Sequence, residues 1–528
     1  MAVSKILIRV PASPERRAAA HMTGRYLITL HPDAQKHIST RLDRMGLKAV
    51  TPLPRAAAEA RPLPQGSHLP LKQVGVTLVD PGPAQEDALH QMAASESGVI
   101  AIEPERVVRT VNSQSNAVEA LGAKLLDQPA ERVAAAVAAR AEAELTWGLS
   151  VTRVAECRLS GAGIKVAILD TGMDTSHPDF AGRHIVTQNF VGDGPPFRDG
   201  VGHGTHCTGT ACGPQQVSTG PRYGIASAAT IHSGRVLDDT GNGGDFNVLE
   251  GINWAIEQGC AVICLSSGTP WSPGDPAFSQ AYETAAQKAL AAGSLLVVAA
   301  GNEADDPQYV GAVATPGNCP SVLTVAAVDR NLATATFSNR VRPRAPGVRG
   351  PDVAAPGVVI HSAWRVSQAR YISLSGTSMA APYVAGIAAL FAQSSTSLRG
   401  QALKDEILKH CMPLPDREGE VGRGLVQAPN GCANRRRNSQ ETGMAEAVSV
   451  IVTVQDSAML DEVRAAAERH GMKSVSVLRG LGIFKGLVNP QSIEDISRIT
   501  GVRSVEHERV SKALSPAPSP RSRRDNSR

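Results

Sequence analysis

The chain has 528 residues, 42% of them apolar and 19% charged, with a formal net charge of +4. That length exceeds one core and points to about three domains. A near-neutral balance and only 3% aromatic residues argue against a nucleic-acid partner, and no stretch reaches the roughly 18–20 apolar residues of a membrane span.

Residues 1–24 read as a flexible start. The apolar run Ile6–Val10 is broken by Arg9 and stopped by Pro11, too short for a signal-peptide core. The eight cysteines, at 157, 207, 212, 260, 264, 319, 411 and 432, show no framework spacing. Reduced thiols and a cytoplasmic location are the matching expectations, with secretion by another route left open.

Residues 25–112 read as strand, helix, strand, strand, helix, strand: "RYLITL", "DAQKHISTRLDRMG", "KAV", "VGVTLVD", "EDALHQMAASES" and "VIAIEPERVV". A βαββαβ order is that of a small α+β ferredoxin-like sandwich. The Ala-rich run over 113–146 is read as a linker helix.

The stretch 147–433 alternates helical segments with continuous apolar strands: "KVAILD", "TIHSGRVL", "AVICLSSG", "LLVVAAGN" and "VLTVAAVD". Unbroken apolar strands predict a mainly parallel, doubly wound α/β sheet covered on both faces, and such sheets gather their chemistry at the carboxyl ends of the strands. A polar, basic linker follows at 434–446. The βαββαβ order returns over 447–513, and 514–528 reads as a disordered tail. The two small units share more than their order: Gly98–Val107 and Gly501–Val510 agree at six of ten positions without a gap.

The polar residues cluster at the expected strand ends. Asp170 closes "KVAILD", His203 lies in "DGVGHGTHCTGTACG", and Ser378 in "SGTSMAAPYVAGIAAL" sits where a Gly-Thr turn feeds a helix. A serine hydroxyl is a poor nucleophile until an imidazole takes its proton, and the imidazole needs a carboxylate to fix its tautomer. Asp, then His, then Ser is one known chain order for that set. Charge developing on the substrate carbonyl needs a preorganised donor, which Asn302 at the end of "LLVVAAGN" offers, with the backbone N–H of Ser378 as a second.

These four motifs, "ILDTGMD", "GHGTHCTGT", "AAGNE" and "SGTSMAAPYVAG", resemble the Asp, His, oxyanion-Asn and Ser motifs of the subtilisin family, in that family's order, over about Trp147 to Ala433. "HGTHC" is similar to the proteinase K branch. The resemblance implies a subtilisin-type fold and a serine endopeptidase that forms an acyl-enzyme and needs no cofactor for its chemistry. It makes Asp170, His203 and Ser378 the triad and Asn302 the oxyanion donor. It also implies substrate contacts at Asn242, Gly243 and Gly244 on one edge, at Ser266, Ser267 and Gly268 on the other, and at Thr377. Ala314 in "ATPGNCP" falls at the pocket for the side chain before the cut bond, and its small size suggests an open apolar pocket.

Asp179 matches an acidic position that binds calcium in the family, but the loop expected to partner it, "GPQQVSTGPRYGIA", lacks the usual asparagine. Tyr383 stands where the family often has His. The amino-terminal unit resembles the family's inhibitory propeptide, which implies a self-inhibited zymogen, though some forty residues separate its last strand from "TWGLSVTRV". For the carboxy-terminal copy three roles compete: a second tethered inhibitor, a structural cap, or a recruiter of substrates.

His203, His206 and Cys207 stand at i, i+3 and i+4 and, with Cys212, could hold zinc from one helix face, but no other cluster supplies the missing ligands and the Gly, Thr and Ala around them suit tight helix packing. The same acyl-enzyme could pass to an amine, as in a peptide macrocyclase, yet no insertion that would exclude water lies between Gly200 and Gly213. An inactive binding scaffold would be expected to have lost one of the four motif residues.

Overall fold

A computed structural model describes residues 22–50, 63–95, 98–110, 145–429 apart from 193, 196, 273–274, 307–310, 342–348 and 415–416, and 448–507 apart from 479–482 and 489–491. The expected flexible start, linker helix, basic linker and disordered tail fall wholly or almost wholly outside these residues. The chain divides into two compact units, residues 1–433 and 434–528.

The first unit opens with β1 (Met22–Leu30), α1 (Gln35–Arg44), β2 (Lys48–Ala49), β3 (Ser67–Leu71), β4 (Val76–Asp80), α2 (Pro83–Ser95) and β5 (Val99–Thr110). The sheet order is β5-β1-β4-β3-β2. One reading of the sequence needs correction here. "KAV" is not the second main strand; it adds two residues in parallel to the outer edge of β3. The hairpin partner of β4 is "SHLPL", whose Pro70 argues against a central strand. Its position near the sheet edge, beyond the two residues that β2 pairs, removes the objection. The sheet has two apolar faces: Tyr26, Ile28, Leu30, Val79 and Ile102 pack on Ile38, Leu42, Leu89 and Met92 of its own helices, and Leu27, Leu69, Leu71, Val76 and Leu78 face elsewhere.

The rest of this unit carries β6 (Lys165–Asp170), β7 (Ile185–Asn189), α3 (His203–Cys212), β8 (Thr230–Arg235), β9 (Asn242–Gly244), α4 (Asp245–Glu257), β10 (Val262–Leu265), β11 (Ser267–Gly268), α5 (Gln280–Ala291) and β12 (Leu295–Ala299). After these come β13 (Leu323–Val328), β14 (Val353–Pro356), β15 (Ile360–Ala363), β16 (Tyr371–Leu374), α6 (Thr377–Ser394) and α7 (Gly400–Lys409). Seven strands form one sheet in the order β14-β13-β12-β10-β6-β8-β7, every pair parallel. This is the α/β fold expected. The edge strands β7 and β14 are additions, the first too mixed in polarity and the second too short to stand out in the sequence.

Helices cover both faces. On one side α6, almost wholly buried, packs with α3 over Val166, Ile168, Val262, Cys264, Val297 and Val325. On the other, α4 and α5 cover Ala167, Leu169, Ile263, Leu265, Leu296 and Val298. Their outer surfaces meet the second apolar face of the amino-terminal sheet, so Leu27, Leu69, Leu71, Val76 and Leu78 share one core with Phe246, Leu249, Ile252, Tyr282 and Ala285. The chain reverses its winding direction about β6, whose neighbours are β8 and β10. In an open α/β sheet that crevice is where ligands bind. Asp170 ends β6 there.

The second unit has β17 (Val448–Val454), α8 (Leu460–Arg469), β18 (Lys473–Leu478), β19 (Ile483–Val488), α9 (Ile493–Ser497) and β20 (Val502–His507), with sheet order β18-β19-β17-β20. Its core gathers Val450, Val452, Val454, Leu460, Val463, Phe484 and Ile496.

Candidate active site

Asp170 and His203 meet at the carboxyl end of β6. His203 opens α3, and its ring Nδ1 lies 2.7 Å from Asp170 Oδ1, which also accepts from the Thr171 N–H at 2.7 Å. Facing a carboxylate, Nδ1 carries the proton. The close approach depends on Gly204: a Cβ there would lie 2.1 Å from the Gly172 carbonyl oxygen, so any side chain would push α3 off the strand end. Burial by itself would lower the His203 pKa, but the adjoining Asp170 charge outweighs it and holds the imidazole well above its usual range.

Ser378 is the second residue of α6 and is fully buried. Its hydroxyl donates to the Ser266 carbonyl at 2.9 Å, while His203 Nε2 has no hydrogen-bond partner among the described residues. The structure therefore brings serine and histidine into one site without the hydrogen bond between them. Pro382 explains how Ser378 is held. Proline lacks the N–H that would bond the carbonyl four residues earlier, so the Ser378 carbonyl accepts instead from Ser266 Oγ at 3.0 Å and Cys207 Sγ at 3.4 Å. Cys207 also lies 3.8 Å from His203 Nδ1.

Asn302 reaches the start of α6 from the end of β12. Its Oδ1 accepts from both the backbone N–H and the hydroxyl of Thr377, each at 2.9 Å, which fixes which way round the amide stands. The small residues Gly268, Gly301 and Ala314 share one wall: a Cβ on Gly268 would lie 3.3 Å from that of Ala314, and one on Gly301 3.1 Å.

Two residues of this site were missed in the sequence. Asp199 Oδ1 accepts from Thr171 Oγ1, Val201 N and Gly202 N, and its Oδ2 from Thr205 N and Oγ1, at 2.6–3.1 Å. Thr171 in turn accepts from Gly204 N at 2.9 Å. Together they tie the residue after Asp170 to the helix start that carries His203. The signal available was an aspartate four positions before the histidine, in a loop already rich in glycine.

Neither metal reading assembles. His206 turns away to donate to the Ile360 carbonyl at 2.9 Å, and burial lowers its pKa to about 3. Among the described residues, ligand atoms of Asp170, His203 and Cys207 lie within 4.8 Å of one another, but Asp170 Oδ1 and His203 Nδ1 already pair with each other and Cys207 Sγ lies against the Ser378 carbonyl. For calcium, Asp179 does not fit. Its Oδ1 accepts from Ser218 N at 2.8 Å and its Oδ2 from the hydroxyls of Tyr223 and Tyr371 at 2.7 and 3.0 Å, a shell of donors where a hard cation needs oxygen lone pairs.

The segments expected to hold an extended peptide already hold one. β5 lies between β9 and β11, antiparallel to both: Val107, Val108 and Arg109 pair with Gly244, Gly243 and Asn242, and Arg109 and Thr110 with Gly268 and Ser267. Just before this stretch β5 grips two helix starts. Glu103 accepts from the backbone N–H of Gln280 and Ala281 at 3.2 and 2.7 Å, at the start of α5. Glu105 accepts from Phe246 N at 3.0 Å, at the start of α4, and from Arg25 Nε at 2.6 Å. Arg106 donates through its backbone N–H and its Nε to Asp245 at 2.9 and 3.1 Å. Carboxylates at helix N-termini meet unsatisfied N–H groups and the positive end of the dipole. Burial still raises both glutamate pKa values above the usual carboxylate range.

Known proteins resemble the central stretch. The subtilase family model matches residues 161–443. Thermitase of Thermoactinomyces vulgaris is 40% identical over 238 residues, 45% of this chain and 77% of that protein. Subtilisin Savinase of Lederbergia lenta is 35% identical over 285 residues, 53% of this chain and 96% of that protein. A crystal structure of a cold adapted subtilisin-like serine proteinase matches with 28% identity and a TM-score of 0.44, covering 54% of this chain and 98% of that one.

Proposed function

We propose, from the premise that the chain belongs to the subtilase family and is a serine endopeptidase, that it is made as a self-inhibited zymogen. In this reading Asp170, His203 and Ser378 are the triad. An extended substrate takes the place of β5, adding as a strand between β9 and β11. Ser378 Oγ leaves the Ser266 carbonyl for His203 Nε2, gives up its proton there, and attacks the substrate carbonyl. Asp170 keeps the imidazole in the Nδ1–H tautomer and stabilises its charged form. The Asn302 amide and the Ser378 N–H meet the oxyanion. The imidazolium protonates the leaving amine, and water then cleaves the acyl-enzyme by the reverse sequence. Gly268, Gly301 and Ala314 leave room for a large apolar side chain before the cut bond.

The observation that carries the zymogen reading is the path of β5. A protein's own strand fills both edges expected to hold a peptide, anchored by the buried Glu103 and Glu105 and by Arg106. The amino-terminal unit thus acts as a ferredoxin-like inhibitor of the family's propeptide kind. Intact-mass spectrometry over hours of the purified wild type beside its Ser378→Ala variant tests this. The expected result is that the wild type alone shortens between residues 110 and 147. If both chains stay whole, removable self-inhibition is wrong.

The pH profile follows from His203. Its base form does the work, and its pKa is held above the ordinary histidine range, so kcat/KM should climb as pH rises through that raised value. A rate profile with its acid limb at or below the range of free histidine would contradict the Asp170 contact as the controlling one.

A further inference from the structure

The helix α4 serves two surfaces. On one side Gly251 lets it close on the parallel sheet, since a Cβ there would lie 2.7 Å from Val236 and 3.2 Å from Leu169. The opposite stripe carries Phe246, Glu250 and Asn253, spaced i, i+4 and i+7 along one helix face. Both ends of that stripe are held by the amino-terminal unit. Glu105 of β5 accepts from the Phe246 N–H at 3.0 Å, and the Gln73 N–H, in the turn between β3 and β4, donates to Asn253 Oδ1 at 2.8 Å. Glu250 stands between these contacts, on the side where Leu27, Leu69, Leu71, Val76 and Leu78 of the sheet close over Phe246 and Leu249.

A carboxyl group in that place is out of keeping with its surroundings. Glu250 is partly buried and has no hydrogen-bond or ion-pair partner among the described residues. The charged groups around it are committed elsewhere. Arg25 of β1 pairs with Glu105, Asp245 of α4 with Arg106, and Glu257 of α4 accepts from Asn253 Nδ2 at 2.9 Å. His68 of β3 meets Asp43 of α1 on the far face of the sheet, and Glu283 of α5 accepts from Ser321 and Gln287. Lys72 in the turn is exposed, and Asp80 at the end of β4 lies in the field of Arg25. With no cation to offset it, burial pushes the Glu250 carboxyl up from 4.5 to about 7.

We propose that Glu250 makes the join between the amino-terminal sheet and α4 a pH-operated latch, which grips in mild acid and loosens as the solution turns neutral and alkaline. Resting on the self-inhibition reading, this latch governs release of the inhibitor and not the chemistry, which His203 controls. Undocking leaves this face of α4 in water, where a glutamate regains its ordinary proton affinity. Between pH 4.5 and about 7 the docked chain holds a proton that the undocked chain has given up. Docking therefore takes up a proton, and each pH unit across that window weakens it by up to about tenfold. Below the window the grip is full. Above it the carboxylate has to be buried ionised and unpaired, and the loss levels off.

The test uses the full-length Ser378→Ala chain, which has no nucleophile with which to cut itself, carrying a site for an added sequence-specific protease within residues 113–144. After cutting, retention of the amino-terminal fragment is measured by sedimentation over a dilution series from about pH 5 to about pH 8, where its dissociation constant should rise at least about tenfold. In Glu250→Gln the constant should stay flat across this range. In Glu250→Leu it should be flat and lower throughout, since no polar group is then buried, and agreement of the two guards against a packing defect in one. A rise as steep in both variants as in the parent, or no rise in the parent, overturns the latch while leaving self-inhibition in place. If the fragment leaves all three chains at every pH, the self-inhibition reading falls and the latch falls with it.

Discussion

Alanine at position 378 is expected to reduce peptide hydrolysis by roughly 10⁶-fold, and Asp170→Asn by roughly 10⁴-fold, magnitudes carried over from serine proteases of this design. The contrast between the two is the informative part. Removing Ser378 leaves no nucleophile, and only oxyanion stabilisation and binding remain. Asparagine at 170 keeps the shape of the site, but an NH2 at the buried Oδ2 position would have no acceptor among the described residues, whereas the amide turned round presents its N–H to His203 Nδ1. The imidazole is driven to the tautomer with its proton on Nε2, which cannot accept one from serine. The same change removes the charge that holds the His203 pKa up, so the remaining activity should have its acid limb at lower pH than the wild type. Steady-state kinetics across pH on both variants would show this, and an unshifted limb in Asp170→Asn would refute the assignment.

Charge reversal at Glu103 and Glu105 together should raise the activity of the uncut chain on a small peptide by roughly 10²–10³-fold. Each side chain is buried, and each meets the first N–H groups of a helix. Lysine in either place sets a cation against the positive end of a dipole and orphans the donors it faced, which costs about 3–5 kcal/mol for a desolvated site. The effects are not additive, because the two residues share one strand and Arg106 lies beside both. Glu103→Gln with Glu105→Gln retains the shape and should give a smaller gain, separating charge from packing. Unchanged activity of the uncut reversal variant, with the chain still folded, would mean that β5 does not depend on these anchors.

Much of the candidate site could be read from the chain because its residues stand beside glycines, just past or at the end of an apolar strand for Asp170 and Asn302 and at a glycine-led helix start for His203 and Ser378. Asp170, His203, Asn302 and Ser378 were found in this way. What stayed hidden depends on contacts between distant segments. "SHLPL" looks like a loop until β4 is placed beside it, and Asp199 looks like one more loop aspartate until five donors converge on its carboxylate. The Ser378 hydroxyl's partner belongs to the same class, being a backbone carbonyl 112 residues away. Glu103 and Glu105 could be seen as a repeat in the sequence, but their purpose could not, because the helix starts they hold carry no complementary letter: a backbone N–H has no side-chain code.

The ring of hydroxyls around Asp179 gives this protein a different weak point from a loop pinned by an ion. Burial would raise the Asp179 pKa, yet the hydrogen bonds from Tyr223, Ser218 and Tyr371 bring it below the usual carboxylate range. Such a group lends stability at neutral pH and surrenders it as pH falls through its lowered value. A chelator would find nothing to extract at this clasp, whereas acid would open it by putting a proton where two phenols now point.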